Sequence, residues 1–104
     1  MTITDYQKEL DEFLQGYETP YWTPHEILAR VTEEVGEVAR LINHQFGPKT
    51  KKPGEAEQEL GEEIADVIFA LMCLANRENI NLDVEIRKAI NKAKTRDVDR
   101  FPKK

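Results

Sequence analysis

Apolar residues in the first half of the chain recur at the three- and four-residue spacing of α-helices. The first stripe predicts a helix over about residues 3 to 15, closed by Gly16, and consists of Ile3, Tyr6, Leu10, Phe13 and Leu14. A second helix is predicted to begin at Pro24, because Thr23 and Glu26 have the spacing of a capping box around it. It should end near Phe46, where a Gly-Pro pair follows.

The second half of the chain repeats this helical pattern. After a basic loop rich in Pro and Gly, a third helix is predicted from about Glu55 through Ala75. Asn81 is placed to cap a fourth helix, whose apolar stripe is Leu82, Ile86, Ala89, Ile90 and Ala93. No segment alternates convincingly with period two. The sequence therefore predicts an all-α fold, a small bundle of four main helices.

Composition limits the functions that such a bundle can have. At 104 residues the chain is expected to form one domain, residues 1–104, with a core small enough that oligomerisation would bury more surface. The longest apolar run, residues 67–75, is too short to span a membrane, and the first ten residues lack signal-peptide architecture, so we expect a cytoplasmic protein. Cys73 lies in that run and is expected to be a buried structural thiol. A net charge of −5 argues against general nucleic-acid binding.

Carboxylates border the apolar faces of the two central helices. At about 100° per residue, the acids of the second helix share one arc of about 100°, beside its apolar residues. The acids of the third helix do the same. These two acidic edges, which can converge if the apolar faces pack together, are Glu33, Glu34 and Glu37 on the second helix and Glu59, Glu62, Glu63 and Asp66 on the third.

Converging carboxylates repel one another, so such a cluster must bind protons or cations. An all-oxygen ligand set suits Mg²⁺ or Mn²⁺. Spacing alone leaves a second interpretation open, in which Glu37 pairs with Arg40 and the other acids form a solvated face. A di-iron carboxylate bundle is disfavoured, because neither His25 nor His44 has a glutamate three residues before it.

The motifs "EEVGE" at residues 33–37 and "EIAD" at 63–66 resemble the Glu-Glu-x-x-Glu and Glu-x-x-Asp signature of the all-α, MazG-like nucleoside triphosphate pyrophosphohydrolases. That family also includes dCTP pyrophosphatases and dimeric dUTPases. The segments "LINHQFGPKTKKP", "EEIADVIFALMCLAN" and "NKAKTRDVDR" are similar to its short single-domain members, so the resemblance runs from about Trp22 to Arg100. It implies Mg²⁺-dependent hydrolysis of a nucleoside triphosphate to the monophosphate and pyrophosphate, and a homodimer or dimer of dimers.

The resemblance also implies roles for individual residues. Four positions match the family's metal ligands, and Glu33 matches the glutamate that ligates or positions the attacking water. The four expected ligands are Glu34, Glu37, Glu63 and Asp66. The general base is left open between Glu33, Glu34 and a hydroxide on the metal. A runner-up interpretation is a catalytically silent helical module that binds a nucleotide or a partner protein, although no expected ligand is missing.

Substrate contacts are expected from cations and one aromatic residue. Lys92 and Arg96 align with a family pattern that contacts the leaving pyrophosphate, but they equally suit a basic helix C-terminus. Arg30 can contact phosphate or pair with Glu33. Trp22 can stack on the base, or plug the end of the bundle. The preferred base and sugar are not readable from the sequence.

Overall fold

The computed structural model describes residues 1–47 and 59–104, and four α-helices account for most of them. The helices are α1 (Ile3–Leu14), α2 (Pro24–Phe46), α3 (Leu60–Arg77) and α4 (Leu82–Arg96). No strand occurs within these two described ranges. The predicted all-α class with four main helices is thereby confirmed.

Capping side chains explain where the helices begin. The predicted box at α2 is present: Thr23 N–H donates to Glu26 Oε1 at 2.9 Å, and Glu26 N–H donates to Thr23 Oγ1 at 3.3 Å. An equivalent box, which the sequence pattern did not single out, joins Thr2 and Asp5 at the start of α1. Asn81 caps α4 as predicted, because its Oδ1 accepts the Val84 N–H at 3.2 Å. These contacts satisfy backbone donors that have no partner inside the helix.

The bounds of α3 differ from the predicted ones at both ends. Glu59 is outside the helix, although its carbonyl accepts the Glu63 N–H at 3.2 Å, so α3 begins at Leu60 rather than near Glu55. Residues 55–58 of the predicted helix lie outside the described residues. At the other end, α3 continues past Ala75 to Arg77 and closes with a Schellman motif. Ile80 N–H donates to the Ala75 carbonyl at 2.8 Å, and Asn79 adopts a positive φ of 57°.

The helices form two compact units. A terminal unit comprises Met1–Pro20 and Ala75–Lys104, and a central unit comprises Tyr21–Leu74. In the terminal unit α1 packs against α4. Asp83, in the first turn of α4, accepts backbone N–H groups of Ile3 at 3.3 Å and Thr4 at 2.9 Å, so it acts as a second cap for α1.

A buried glutamine organises the terminal unit. Gln7 is only 7% exposed and uses both ends of its amide. Its Nε2 donates to Asn76 Oδ1 at 3.0 Å and to the Ile80 carbonyl at 2.8 Å, and its Oε1 accepts the Leu82 N–H at 3.0 Å. Asn76 Nδ2 donates in return to the Gln7 carbonyl at 2.9 Å. The network joins α1 to the α3–α4 connection.

The central unit buries few of the apolar residues that were expected to pack together. Ile27 and Ala70 are buried, at 3% and 4% exposure. Five residues of the apolar arcs of α2 and α3 remain between 42% and 50% exposed, namely Val35, Ile42, Ile64, Ile68 and Leu71. The predicted apolar faces are thus only partly covered by the central unit itself. Cys73, expected to be buried, has intermediate exposure, and its partial burial raises the pKa of the thiol.

Candidate metal and nucleotide site

Three carboxylates of the central unit converge between α2 and α3. Glu34 comes from α2, and Glu63 and Asp66 come from α3, where their i, i+3 spacing places them side by side. One carboxylate oxygen from each lies within 4.8 Å of the others. We call these three residues the acidic cluster. The two predicted acidic edges therefore do converge, through Glu34 on α2 and through Glu63 and Asp66 on α3.

Glu63 is the buried member of the acidic cluster, with 4% exposure. Burial raises the pKa of its carboxyl, and the negative charges of Asp66, Glu37, Glu34 and Glu62 raise the pKa further. Each of these causes disfavours the ionised form. A cation bound among these groups would relieve all of them at once, so the electrostatics of the cluster favour cation binding.

Helix geometry explains the different exposures of the acids on α2. Glu34 adjoins the apolar arc of the helix, and its side chain is 13% exposed, whereas the side chain of Glu37 is 44% exposed. Glu37 lies outside the acidic cluster and pairs with Arg40 at 3.5 Å, as the alternative interpretation expected. It is nevertheless close enough to Glu63 to raise the pKa of that carboxyl.

Glu33 and Trp22 line a shallow cavity of about 290 Å³ next to the start of α2. Glu26, Ala29 and Arg30 complete its lining. Trp22 is 53% exposed, so its ring is not a core plug within the central unit and presents an open aromatic face. This arrangement brings together two of the predicted substrate-contacting residues and the predicted water-positioning glutamate.

Arg30 pairs with a different acid from the one expected. Its Nε donates to Glu34 Oε1 at 2.7 Å, in place of the expected pair with Glu33. Viewed down the helix axis, Arg30 lies between Glu37 and Glu34. Its angle to Glu34 is about 40° and its angle to Glu33 is about 60°, which explains why Arg30 pairs with Glu34 and not with Glu33. The side chain of Arg30 remains 46% exposed.

Lys92 and Arg96 belong to α4 of the terminal unit and lie about one turn apart. Both are exposed, and Arg96 Nε donates to Asp97 Oδ1 at 3.5 Å. Arg96 lies in the last turn of the helix, where a basic residue interacts favourably with the helix dipole. Their role as phosphate contacts stays a prediction.

Sequence patterns alone did not single out the buried member of the acidic cluster or the partner of Arg30. A signal for the first was present, because Glu63 lies about 40° from Val67 on the helical projection and is the acid of α3 nearest to its apolar arc. The same projection marks Glu34 as the acid of α2 nearest to that helix's apolar arc.

Comparison with known proteins explains why these acids occur together. The sequence profile of the MazG nucleotide pyrophosphohydrolase domain matches residues 22–101, which include all of α2, α3 and α4. The chain belongs to the MazG nucleotide pyrophosphohydrolase family. It is accordingly an enzyme of the nucleotide pyrophosphohydrolase class. The matched region contains the whole acidic cluster and the Trp22 cavity, while α1 precedes it.

Individual relatives agree with the family assignment. The chain is 42% identical over 103 residues to the uncharacterized protein YpjD of Bacillus subtilis, covering 99% of this chain and 93% of YpjD. It is 36% identical over 98 residues to the uncharacterized protein YvdC of the same organism, covering 86% of this chain and 89% of YvdC.

Solved structures of this family share the fold. The crystal structure of YpjD from Bacillus subtilis superposes with a TM-score of 0.82 at 40% identity, covering 92% of this chain and 96% of that one. A MazG protein conserved in Bacillus, described as a nucleotide pyrophosphohydrolase, gives a TM-score of 0.79 at 38% identity, covering 92% of this chain and 93% of that one.

No helix in the described parts of this MazG-family chain has the length and apolarity needed to cross a membrane.

Proposed function

We propose that this MazG-family enzyme hydrolyses nucleoside or deoxynucleoside triphosphates to the monophosphate and pyrophosphate, with Mg²⁺ or Mn²⁺ held by the acidic cluster. The observation that carries the proposal is the meeting of three carboxylate oxygens within 4.8 Å around the buried Glu63. Glu37 is proposed as a fourth ligand, since its charge already acts on Glu63.

The residues fit such an ion. Mg²⁺ prefers oxygen ligands at about 2.0 to 2.1 Å in octahedral geometry, which places neighbouring ligands about 2.9 Å apart and opposite ligands about 4.2 Å apart. The cluster's oxygens lie within 4.8 Å of one another, so rotation of the side chains must bring at least two pairs of them closer together. Glu34 and Asp66 come from different helices and are not both rigidly buried, so their side chains can make this adjustment.

In the proposed reaction, water attacks one of the two phosphorus atoms that are joined by the oxygen between the α- and β-phosphates. The bond from that phosphorus to the bridging oxygen breaks, so the products are the monophosphate and pyrophosphate. The ion would screen the negative charge of the triphosphate and polarise the attacked phosphorus. Glu33 is exposed beside the Trp22 cavity, where its carboxylate is suited to orient the water and accept its proton.

Contacts to the nucleotide are proposed for individual residues. Trp22 presents an open ring on which a base can stack, and stacking discriminates weakly among bases. Arg30 lines the same cavity and is a candidate phosphate ligand. Lys92 and Arg96 are proposed to contact the departing pyrophosphate, as their match to the family pattern implies.

The enzyme is further proposed to act in the cytoplasm as a homodimer or dimer of dimers. Support comes from the apolar side chains that the central unit leaves exposed. Val35 on α2 and Ile68 on α3 are each 50% exposed. A second copy of the chain that covered these faces would supply the apolar burial that a single chain of this size lacks.

Pyrophosphate release from a panel of normal and damaged NTPs and dNTPs tests the proposal. Wild-type protein should release pyrophosphate with Mg²⁺ or Mn²⁺ and stop when EDTA is added. Glu34→Gln and Asp66→Asn should each lower kcat by about 100-fold or more, because each removes a charged ligand at the point of charge development.

Glu62→Gln is the matched control, because Glu62 is an exposed acid next to Glu63 that lies outside the acidic cluster. Its kcat should stay close to that of the wild type. Full activity in the Glu34 and Asp66 variants, or activity that persists in EDTA, would refute the metal site. Nucleotide binding with no turnover across the panel would instead favour a silent binding module.

A further inference from the structure

Arg30 joins the acidic cluster to the Trp22 cavity. Its Nε donates to Glu34 Oε1 at 2.7 Å, and Arg30 also lines the cavity with Trp22 and Glu33. The Glu34 side chain is only 13% exposed, so this ion pair is partly withdrawn from water. The other arginine pair of α2, between Arg40 and Glu37, is longer at 3.5 Å and joins two side chains that are 47% and 44% exposed.

The Arg30–Glu34 pair conflicts with metal binding. The guanidinium already neutralises Glu34 and occupies one of its oxygens. A divalent ion that used Glu34 would have to share the carboxylate with a positive charge a few ångströms away, and the two cations would repel each other. In the nucleotide-free protein Arg30 therefore competes with the ion for Glu34.

A triphosphate removes this conflict. The planar guanidinium forms its strongest hydrogen bonds with phosphate and carboxylate groups, often in bidentate geometry. With 46% of its side chain exposed and its position in the wall of the cavity, Arg30 can turn from Glu34 to a phosphate that arrives beside Trp22. The movement is a change of side-chain rotamer and leaves the helix intact.

We propose that Arg30 is an internal counter-ion that exchanges partners, pairing with Glu34 in the free enzyme and with the triphosphate in the loaded one. This inference rests on the proposed metal-dependent hydrolysis. The exchange couples the two binding events, because triphosphate withdraws the cation that opposes the metal. By thermodynamic linkage the metal must strengthen triphosphate binding by the same factor.

The first test measures the affinity of the full-length protein for Mn²⁺ in the absence of triphosphate. The electron paramagnetic resonance signal of free Mn²⁺ is followed during the titration. Arg30→Gln removes the positive charge while keeping an unbranched polar side chain. It should bind Mn²⁺ about fivefold more tightly than the wild type, because one unit of nearby positive charge is lost. Arg77→Gln is the control, since Arg77 loses the same charge but pairs with Glu78 and lies outside the acidic cluster.

The second test measures the affinity for inorganic tripolyphosphate by calorimetry in saturating Mn²⁺. Arg30→Gln should bind it about tenfold more weakly, and Arg77→Gln should match the wild type. The expected signature is thus a change of opposite sign in the two affinities from a single substitution. A residue that only stabilised α2 would move neither affinity in this way.

Other results would overturn the inference. Weaker Mn²⁺ binding by Arg30→Gln would mean that Arg30 orients Glu34 as a ligand and does not compete. Unchanged tripolyphosphate binding would mean that Arg30 stays on Glu34 after loading.

The Glu34→Gln variant separates failure of the inference from failure of the proposed function. If it binds Mn²⁺ as well as the wild type, or if the wild type does not bind Mn²⁺, the metal site itself is refuted and the exchange with it. If Mn²⁺ binding is lost in Glu34→Gln but unchanged or weakened in Arg30→Gln, only the exchange is refuted.

Discussion

Replacing Gln7 with leucine should remove the polar centre of the terminal unit. Leucine has a similar volume but no hydrogen-bonding group, so the substitution deletes three hydrogen bonds at once. The groups left behind are Asn76 Oδ1, the Ile80 carbonyl and the Leu82 N–H, which contact Gln7 at 3.0, 2.8 and 3.0 Å. The Leu82 N–H belongs to the first turn of α4 and has no partner inside that helix.

The expected loss of stability follows from these three bonds. Each contributes about 1 kcal/mol net, so the free energy of unfolding should fall by about 3 kcal/mol. The network is partly buried, and water can reach some of the abandoned groups, so a larger penalty for unsatisfied groups is not expected. At about 4 °C per kcal/mol for a chain of this size, Tm should fall by about 12 °C.

Urea denaturation followed by circular dichroism measures the effect, at one fixed protein concentration because the proposed oligomer would also contribute to stability. Gln15→Leu is the matched control, since Gln15 is exposed and makes one side-chain hydrogen bond, to Asp11 at 3.2 Å. It should change stability by less than about 0.5 kcal/mol. Equal effects of the two substitutions, or a loss below about 1 kcal/mol for Gln7→Leu, would refute the proposed importance of the network.

Three further outcomes are expected. Thr23→Ala should lower the free energy of unfolding by about 1 kcal/mol, because the α2 cap is lost. Thr32→Ala, an exposed position inside the same helix, is the control and should change the free energy of unfolding little. An equal loss in both variants would contradict the role of the cap. Asn79→Val should cost about 1 to 2 kcal/mol and Asn79→Gly almost nothing in urea denaturation, because φ is 57°; equal costs would contradict this backbone geometry. The pKa of Asp83 is lowered by hydrogen bonds from the Thr4 hydroxyl and then from the Thr4 and Ile3 N–H groups. The stability that ionised Asp83 gives the fold is therefore complete above the ordinary pKa of 3.8 and is lost as pH falls through the lowered pKa. Asp83→Asn should therefore flatten the acid limb of a stability-against-pH curve measured by urea denaturation, and an unchanged limb would contradict the assignment.

Local features of the fold were predictable because they depend on residues close together in the sequence. The Thr23–Glu26 box and the Asn81 cap each involve side chains three residues from the group they bind. Helical projection likewise placed the acids at the edge of the apolar arcs, and the convergence of Glu34 with Glu63 follows once two such edges face each other.

Features that depend on distant residues were not predictable in this way. A glutamine between Tyr6 and Lys8 gives no local sign of being buried, because its partners lie 69 to 75 residues later. Arg30 had several acids within reach, and the choice of Glu34 depended on an angular difference of only about 20° between candidate partners. Exposure of Val35 and Ile68 was also unreadable, since a periodic pattern shows which face is apolar and not what covers it.

The contacts that hold α1 also have a consequence for the order of events during synthesis. Helix α1 is made before the other three helices, yet its hydrogen-bonding partners in the terminal unit include Asn76, Ile80, Leu82 and Asp83. At about 5 to 20 residues per second, the ribosome adds the intervening 69 residues in roughly 3 to 14 seconds. During that interval α1 is a 12-residue segment, too short to be a stable helix by itself. The earliest of these four helices to be translated is therefore among the last to acquire its native contacts, and a chain interrupted before Asn76 leaves it without them.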